Sequence, residues 1–266
     1  MGYNLARYGR WCLVTGASAG FGVHFAHAAA RDGLNLALAA RRRDRLEKLA
    51  EELEADYGVQ TLVIELDLAR PESTARVAEA LGEREIALLV LNAGFCWHGL
   101  LRDMSEDMIA QMVNTNCTSY ATLARRFLPG MVERGRGALI LVSSVLGFFP
   151  GPWSACYAAT KAFDLMLGES LRGELRGTGV DVLNLCPGRT ATEFHEVANP
   201  HKFRRKVAPE LKMDDPQQVV DLALKNLGRK TTVYPGQGVA AAIVTRLFPR
   251  SWTMALAARV MERETH

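Results

Sequence analysis

Tyr157 and Lys161 stand four residues apart in Ser154-Ala155-Cys156-Tyr157-Ala158-Ala159-Thr160-Lys161, a stretch that reads as a helix. That spacing puts a phenol and an ammonium on one helix face. A phenol of ordinary pKa, about 10, is a poor proton donor or acceptor at neutral pH. A positive charge beside it lowers that value and readies the hydroxyl for proton transfer. Ser143 and Ser144 close the apolar run just upstream, where a hydroxyl can hold the oxygen of a reacting molecule. Proton transfer to or from an oxygen is the chemistry this set suits.

A second segment points to a nucleotide. Thr15-Gly16-Ala17-Ser18-Ala19-Gly20-Phe21-Gly22 follows the first apolar run and precedes a helical pattern. Glycines at such a turn let the backbone bend tightly and approach a pyrophosphate without a Cβ in the way. The helix that follows offers free N–H groups and a positive dipole end to phosphates. Three glycines alone make only a flexible turn; placed between a first strand and a first helix they indicate a dinucleotide. The second strand ends in Arg41-Arg42-Arg43. An NAD site commonly carries a carboxylate there for the ribose 2′-OH, and none is present. Guanidinium groups suit a 2′-phosphate, so NADP(H) is expected over NAD(H), with Arg41 ahead of Arg42. The competing reading is a solvated basic helix start paired with Asp44 and Glu47.

The elements that must position these groups alternate from end to end. Strand candidates are Trp11–Thr15, Asn35–Ala39, Thr61–Glu65, Ala87–Leu91, Ala138–Val142, Asp181–Leu185 and Thr231–Tyr234. Most are continuous apolar runs, as strands buried on both faces are. Between them lie helical periods such as Asp44–Tyr57, where Leu46, Leu49, Ala50 and Leu53 share a face. Pro71 and Pro216 are each placed to open a helix. The pattern predicts an α/β fold, a Rossmann-type doubly wound parallel sheet with helices on both faces. No linker or repeat divides residues 1–266, so one domain is expected. A long substrate loop over 189–215 carries His195, His201 and the basic run Lys202 to Lys206, and a helical extension covers 237–266.

Composition narrows the function classes. The 266 residues are 48% hydrophobic and 23% charged, ordinary for a globular chain. Lys and Arg exceed Asp and Glu by 32 to 29, a net charge of +3, too slight to predict a nucleic-acid partner. Cys12, Cys96, Cys117, Cys156 and Cys186 are scattered, without a CxxC pair, and read as small buried hydrophobes. No metal site is expected. The first strand begins too early for a signal peptide, and Ala6 stands where myristoylation wants Ser or Thr. A cytoplasmic protein is expected.

Taken together, the glycine turn, Asn92-Ala93-Gly94, Ser144 with Tyr157 and Lys161, and Pro187-Gly188 resemble the short-chain dehydrogenase/reductase family over about residues 10 to 235. Ser144 precedes Tyr157 by thirteen residues, the family's arrangement. The resemblance implies a hydride-transferring oxidoreductase acting on a carbonyl or secondary alcohol. Tyr157 would be its general acid or base, and Lys161 would lower the Tyr157 pKa and bind the nicotinamide ribose. Ser144 would orient the substrate oxygen. Asn116 would be the fourth catalytic residue, with Asn114 as the alternative register. It further implies cofactor contacts from Gly16, Ser18, Ala19, Gly20, Phe21 and Gly22, and from Arg41, Asp67 and Leu68 on the adenosine side. Asn92, Ala93, Gly94, Pro187, Gly188, Thr190 and Thr192 complete that set. Asp67, Asn92 and Thr192 also have plain readings as turn formers or a helix cap. Ala19, Phe21, Leu91 and Arg189 depart from frequent family residues, and none of them removes a catalytic group.

Phe95-Cys96-Trp97, Leu146 to Trp153 and Phe194 flank the site and point to an apolar substrate, or to loop packing. A 3-oxoacyl or hydroxysteroid type reductase is the related alternative; a catalytically idle nucleotide-binding scaffold is the rival of a different class. A homodimer or homotetramer is expected by resemblance. Trp252, Met254, Ala255, Leu256, Ala258, Val260 and Met261 form an amphipathic stretch with basic flanks. Packing on protein is expected of it, with peripheral membrane contact as the alternative.

Overall fold

Seven strands form one parallel sheet in the computed structural model, which describes residues 2–194, 213–236, 247 and 249–263. They are β1 Trp11–Thr15, β2 Asn35–Ala40, β3 Thr61–Glu65, β4 Ile86–Leu91, β5 Gly137–Val142, β6 Val180–Leu185 and β7 Thr232–Val233. Their order is β3-β2-β1-β4-β5-β6-β7. Every residue of β4 and β5 is buried, which is why these runs lack polar alternation. Neighbouring residues of one strand feed opposite layers. Cys12 and Val14 pack with Phe25 of α1 (Phe21–Arg31), Leu46 of α2 (Arg43–Tyr57) and Val220 of α7 (Pro216–Asn226). Leu13 packs with Val77 of α3 (Ser73–Leu81), Leu123 of α5 (Ser119–Glu133) and Leu171 of α6 (Ala155–Glu174). The order reverses between β1 and β4, and ligands of such sheets settle in the crevice beyond the strands' carboxyl ends at that point.

Local signals end the helices. Gly58, at φ 66°, closes α2 in the left-handed conformation that glycine adopts without penalty. Pro216 opens α7 as expected, and the Asp215 carboxylate accepts from the Gln217 N–H at 2.9 Å. Pro71 does not open a helix: it lies in a turn two residues ahead of α3, where Ser73 N donates back to the Arg70 carbonyl and the Glu72 carbonyl accepts the first helical bonds. At α4 (Glu106–Val113) the Ser105 hydroxyl accepts from Met108 N at 3.2 Å. Ser105→Ala should therefore cost about 1 kcal/mol in a urea-unfolding measurement, with activity unchanged.

The last described helix, α8, spans Arg250–Arg263; Trp252 and Met254 are exposed on it and Thr253 is buried. No described helix is long and apolar enough to cross a membrane. His195, His201 and the basic run 202–206 lie outside the described residues, as do 237–246 of the extension.

Candidate active site

The carboxyl end of β5 leads through Ser143 and Ser144 into a 3₁₀ turn, Val145–Gly147, that rests on α6. Ser143 Oγ donates to the Lys161 carbonyl at 2.7 Å, and Val145 N donates to the Pro187 carbonyl at 3.0 Å. A Cβ on Gly147 would lie 2.7 Å from the Lys161 carbonyl oxygen, so only glycine lets the turn sit this close. Three pieces of chain, after β5, after β6 and on α6, are thereby held in one place.

Tyr157 and Ser144 are buried there, 7% and 8% exposed, and the Ser144 Oγ accepts from Leu146 N at 3.2 Å. Burial pushes the Tyr157 phenol well above its ordinary value; the nearby Cys96 adds to the rise and the Ser144 contact opposes it. The expected lowering by Lys161 does not prevail in the protein alone. The Lys161 ammonium is drawn away: Nζ donates to the Val142 carbonyl at 2.9 Å and to Asp164 Oδ2 at 2.9 Å. It lies 5.9 Å from the centroid of the Tyr157 ring and 5.3 Å from that of Tyr120.

Asn116 enters from a π-helical turn, Asn114–Thr118, set between α4 and α5. Such turns are rare and often mark functional sites. Its Nδ2 donates to the Phe95 carbonyl and to Thr160 Oγ1, both at 3.0 Å, and its Oδ1 accepts from Phe95 N at 3.2 Å. A Cβ on Gly94 would come within 3.2 Å of Asn116 Oδ1 and 3.6 Å of Lys161 Nζ, which places Asn116 and Lys161 around one point. Asn114 turns elsewhere, donating to the Ala69 carbonyl at 3.1 Å.

The glycine turn caps the same crevice. Gly16 takes φ 67° and donates from its N–H to the Ala39 carbonyl at 2.7 Å. Thr15 Oγ1 accepts from Asn92 N at 2.9 Å and Ala93 N at 3.1 Å, and Asn92 Nδ2 donates to the Thr15 carbonyl at 2.9 Å. A Cβ on Gly22 would strike the Gly16 carbonyl. Gly20, at φ 55°, precedes α1 without a side-chain cap, and Phe21 is the first residue of that helix. Ala19 lies between them and the half-buried Ser18. Uncapped helix-terminal N–H groups at a tight glycine turn suit a pyrophosphate, so these residues fit a dinucleotide.

Around this cradle the remaining expected residues are distributed unevenly. Arg41 is exposed just past β2, whereas Arg42 turns back over the glycine loop. Its Nε donates to Ser18 Oγ at 3.2 Å, and Nη1 meets Glu193 Oε2 at 3.1 Å. Arg43 pairs with Glu47 at 2.7 Å, as the solvated-helix reading expects of it. Asp67 Oδ1 accepts from Ala69 N at 3.0 Å, so this carboxylate also shapes its own turn, and Leu68 is buried. Thr192 packs on Gly20, its Cβ 3.5 Å from where a Gly20 Cβ would stand. Thr190 is buried and donates to the Gly188 carbonyl at 3.4 Å.

On the opposite side Tyr157 meets an apolar wall. Cys96, Met104 and Met112 are buried with it, and Phe95, Trp97 and Leu146 pack against them. The Phe194 ring lies 5.8 Å from that of Tyr157. His98 is half-buried, with Nδ1 2.7 Å from Ser154 Oγ. Proton-transfer groups, a nucleotide cradle and an apolar wall thus converge at the sheet's carboxyl edge.

A family model described as short chain dehydrogenase matches residues 10–202. The chain belongs to the short-chain dehydrogenases. This dehydrogenase is 30% identical over 231 residues to the 7beta-hydroxysteroid dehydrogenase of Collinsella aerofaciens, covering 87% of this chain and 88% of that one. It is 29% identical over 245 residues to the human very-long-chain 3-oxoacyl-CoA reductase, covering 90% and 76%. Among solved structures it is similar to a short-chain dehydrogenase from Sphingobium yanoikuyae in complex with NADPH. The TM-score is 0.80 at 32% identity, covering 96% of this chain and 94% of that one. Three groups of this short-chain dehydrogenase escaped the sequence reading: Thr15 as the link to Asn92, Glu193 bridging to Arg42, and Asp164 beneath Lys161. Only Asp164 carried a signal, its i, i+3 spacing from Lys161.

Proposed function

We propose that this chain is an NADP(H)-dependent oxidoreductase of an apolar ketone or secondary alcohol. The observation that carries the reading is the pair of buried hydroxyls, Tyr157 and Ser144, set between a dinucleotide cradle and an apolar wall. A nicotinamide cofactor bound in the cradle supplies or takes up the hydride. Tyr157 Oη gives its proton to the substrate oxygen in reduction and recovers it in oxidation. Ser144 Oγ holds that oxygen and stabilises the charge developing on it. Lys161 brings positive charge to the point where Gly94 and Asn116 also meet. Asn116 is the fourth member of the set, and its bonds to Phe95 and Thr160 fix the loop beside Lys161.

Arg42, rather than Arg41, is the group we assign to the 2′-phosphate, since its guanidinium lies over Ser18 in the cradle. Arg42→Ala should weaken NADPH about tenfold, roughly 1.4 kcal/mol, and leave NADH within about twofold in a fluorescence titration. Equal losses for both cofactors would remove the assignment, and a larger loss in Arg41→Ala would return it to Arg41.

The apolar wall favours a steroid-sized or long-chain substrate, in keeping with what the two named relatives act on. A panel of hydroxysteroids and 3-oxoacyl thioesters, run with NADPH and NADP, separates these classes. Turnover of neither, with small polar ketones accepted, would refute the apolar reading. Light scattering tests the expected homodimer or homotetramer.

A further inference from the structure

Asp164 lies on α6 three residues beyond Lys161 and is wholly buried. Its Oδ2 is 2.9 Å from Lys161 Nζ, while its Oδ1 is buried and has no hydrogen-bond partner among the described residues. A carboxylate held this way is poorly satisfied, and an apolar side chain of similar volume would sit there at less cost. Packing therefore gives no reason for an acid at this position. The lysine does. Among the described residues its ammonium has two acceptors, the Val142 carbonyl and this carboxylate, and both are buried.

The groups facing Asp164 come from four elements. Lys161 and Tyr157 share its helix, Cys117 and Tyr120 approach from the π-helical turn and α5, and Cys186 approaches from the end of β6. Burial pushes the Cys117 and Cys186 thiols up to about 12 and Tyr120 well above its ordinary value, so these three stay neutral at working pH. Lys161 and Asp164 are then the charges that Tyr157 feels from this side.

We propose that Asp164 is a positioning residue for the proton-transfer pair: its carboxylate anchors the Lys161 ammonium against Val142 and sets how much of that positive charge reaches the Tyr157 hydroxyl. The proposal rests on the Tyr157–Lys161 reading above. With Asp164 ionised, its negative charge holds the Tyr157 proton and opposes the ammonium. With Asp164 protonated, the ammonium acts alone and makes the phenol a stronger acid. Burial lifts the Asp164 carboxyl to about 6, against the pull of Lys161, so the exchange falls just below neutral pH.

The test is the pH profile of kcat/KM for alcohol oxidation, which rises as Tyr157 loses its proton. Asp164→Asn keeps an oxygen for Lys161 and removes the charge; it should move that limb down by about one pH unit or more. NADPH affinity should stay within about twofold. Asp164→Val removes charge and acceptor, and should show the same shift with a lower kcat. In the cofactor-free protein, the Tyr157 phenolate absorbance, taken against Tyr157→Phe, should move in the same direction. A limb and an absorbance titration unmoved in folded variants would overturn the proposal. If neither variant folds, carbon-13 NMR of the wild-type protein decides. A Tyr157 ring signal that responds as the Asp164 carboxyl titrates supports it, and an indifferent one overturns it. Tyr157→Phe separates the two levels: if it still turns over, the catalytic reading itself fails, whereas an inactive Tyr157→Phe with an unmoved limb removes only Asp164.

Discussion

Tyr157→Phe lowers kcat by about 10³-fold or more while NADPH binding stays within about twofold, in the range expected for removing a positioned general acid. The substitution deletes one oxygen from a side chain that is 7% exposed and leaves its ring packed against Cys96, Met104 and Met112. No group in the glycine turn is touched, so the cradle is unaltered. Burial matters to the direction of the chemistry. It holds the proton on the phenol in the protein alone, so Tyr157 rests in the protonated form from which carbonyl reduction starts. Single-turnover rates with NADPH and the best ketone of the panel check the prediction. A rate within tenfold of the wild type would show that the proton comes from elsewhere, and the idle-scaffold reading would fall with it, since the variant still turned over.

Gly22→Ala produces the second large effect, loss of both stability and nucleotide affinity. The added Cβ would strike the Gly16 carbonyl and lie 2.9 Å from Ala17 Cα. Both obstacles are backbone, and Gly16 is itself pinned by its N–H bond to Ala39 at 2.7 Å. Relief requires the turn to open, at a cost of about 3 kcal/mol, the upper part of the range for overpacking. An opened turn also misdirects the N–H groups that begin α1, so NADPH affinity should fall by at least about tenfold. Gly188→Ala is the matched control: nothing lies within 4 Å of its added Cβ, and stability should be unchanged. Thermal unfolding of the two variants beside the wild type is sufficient; equal midpoints for Gly22→Ala and wild type would contradict the packing described.

Most of the sheet was legible because strands buried on both faces leave an unbroken apolar run. The boundaries of β2, β4, β5 and β6 each extend one residue beyond the expected range, and β7 is shorter, pairing only Thr232 and Val233 with β6. The proton-transfer set was legible because helical spacing and a strand end suffice to bring Ser144, Tyr157 and Lys161 together. Arg41 and Arg42 show where such reasoning stops. Adjacent residues at a strand end point in different directions, and the choice depends on the extended backbone of Arg42 just ahead of α2. Glu193, 151 residues away from Arg42 and now 3.1 Å from it, carries no local signal at all. Asp164 was visible as a spacing, but its depth and its half-satisfied carboxylate belong to the packing of α6 on β5 and β6.

The π-helical turn at Asn114–Thr118 makes the phase of two helices depend on one residue. An α-helix advances about 100° per residue, so a chain that lost one residue from this turn and closed into regular α-helix would rotate everything after it by that angle. Tyr120 and Leu123, now buried under the sheet, would swing toward solvent, or Asn116 would leave Lys161 so that they could stay. The extra residue lets one continuous rod obey two angular demands, one from the core and one from the proton-transfer site.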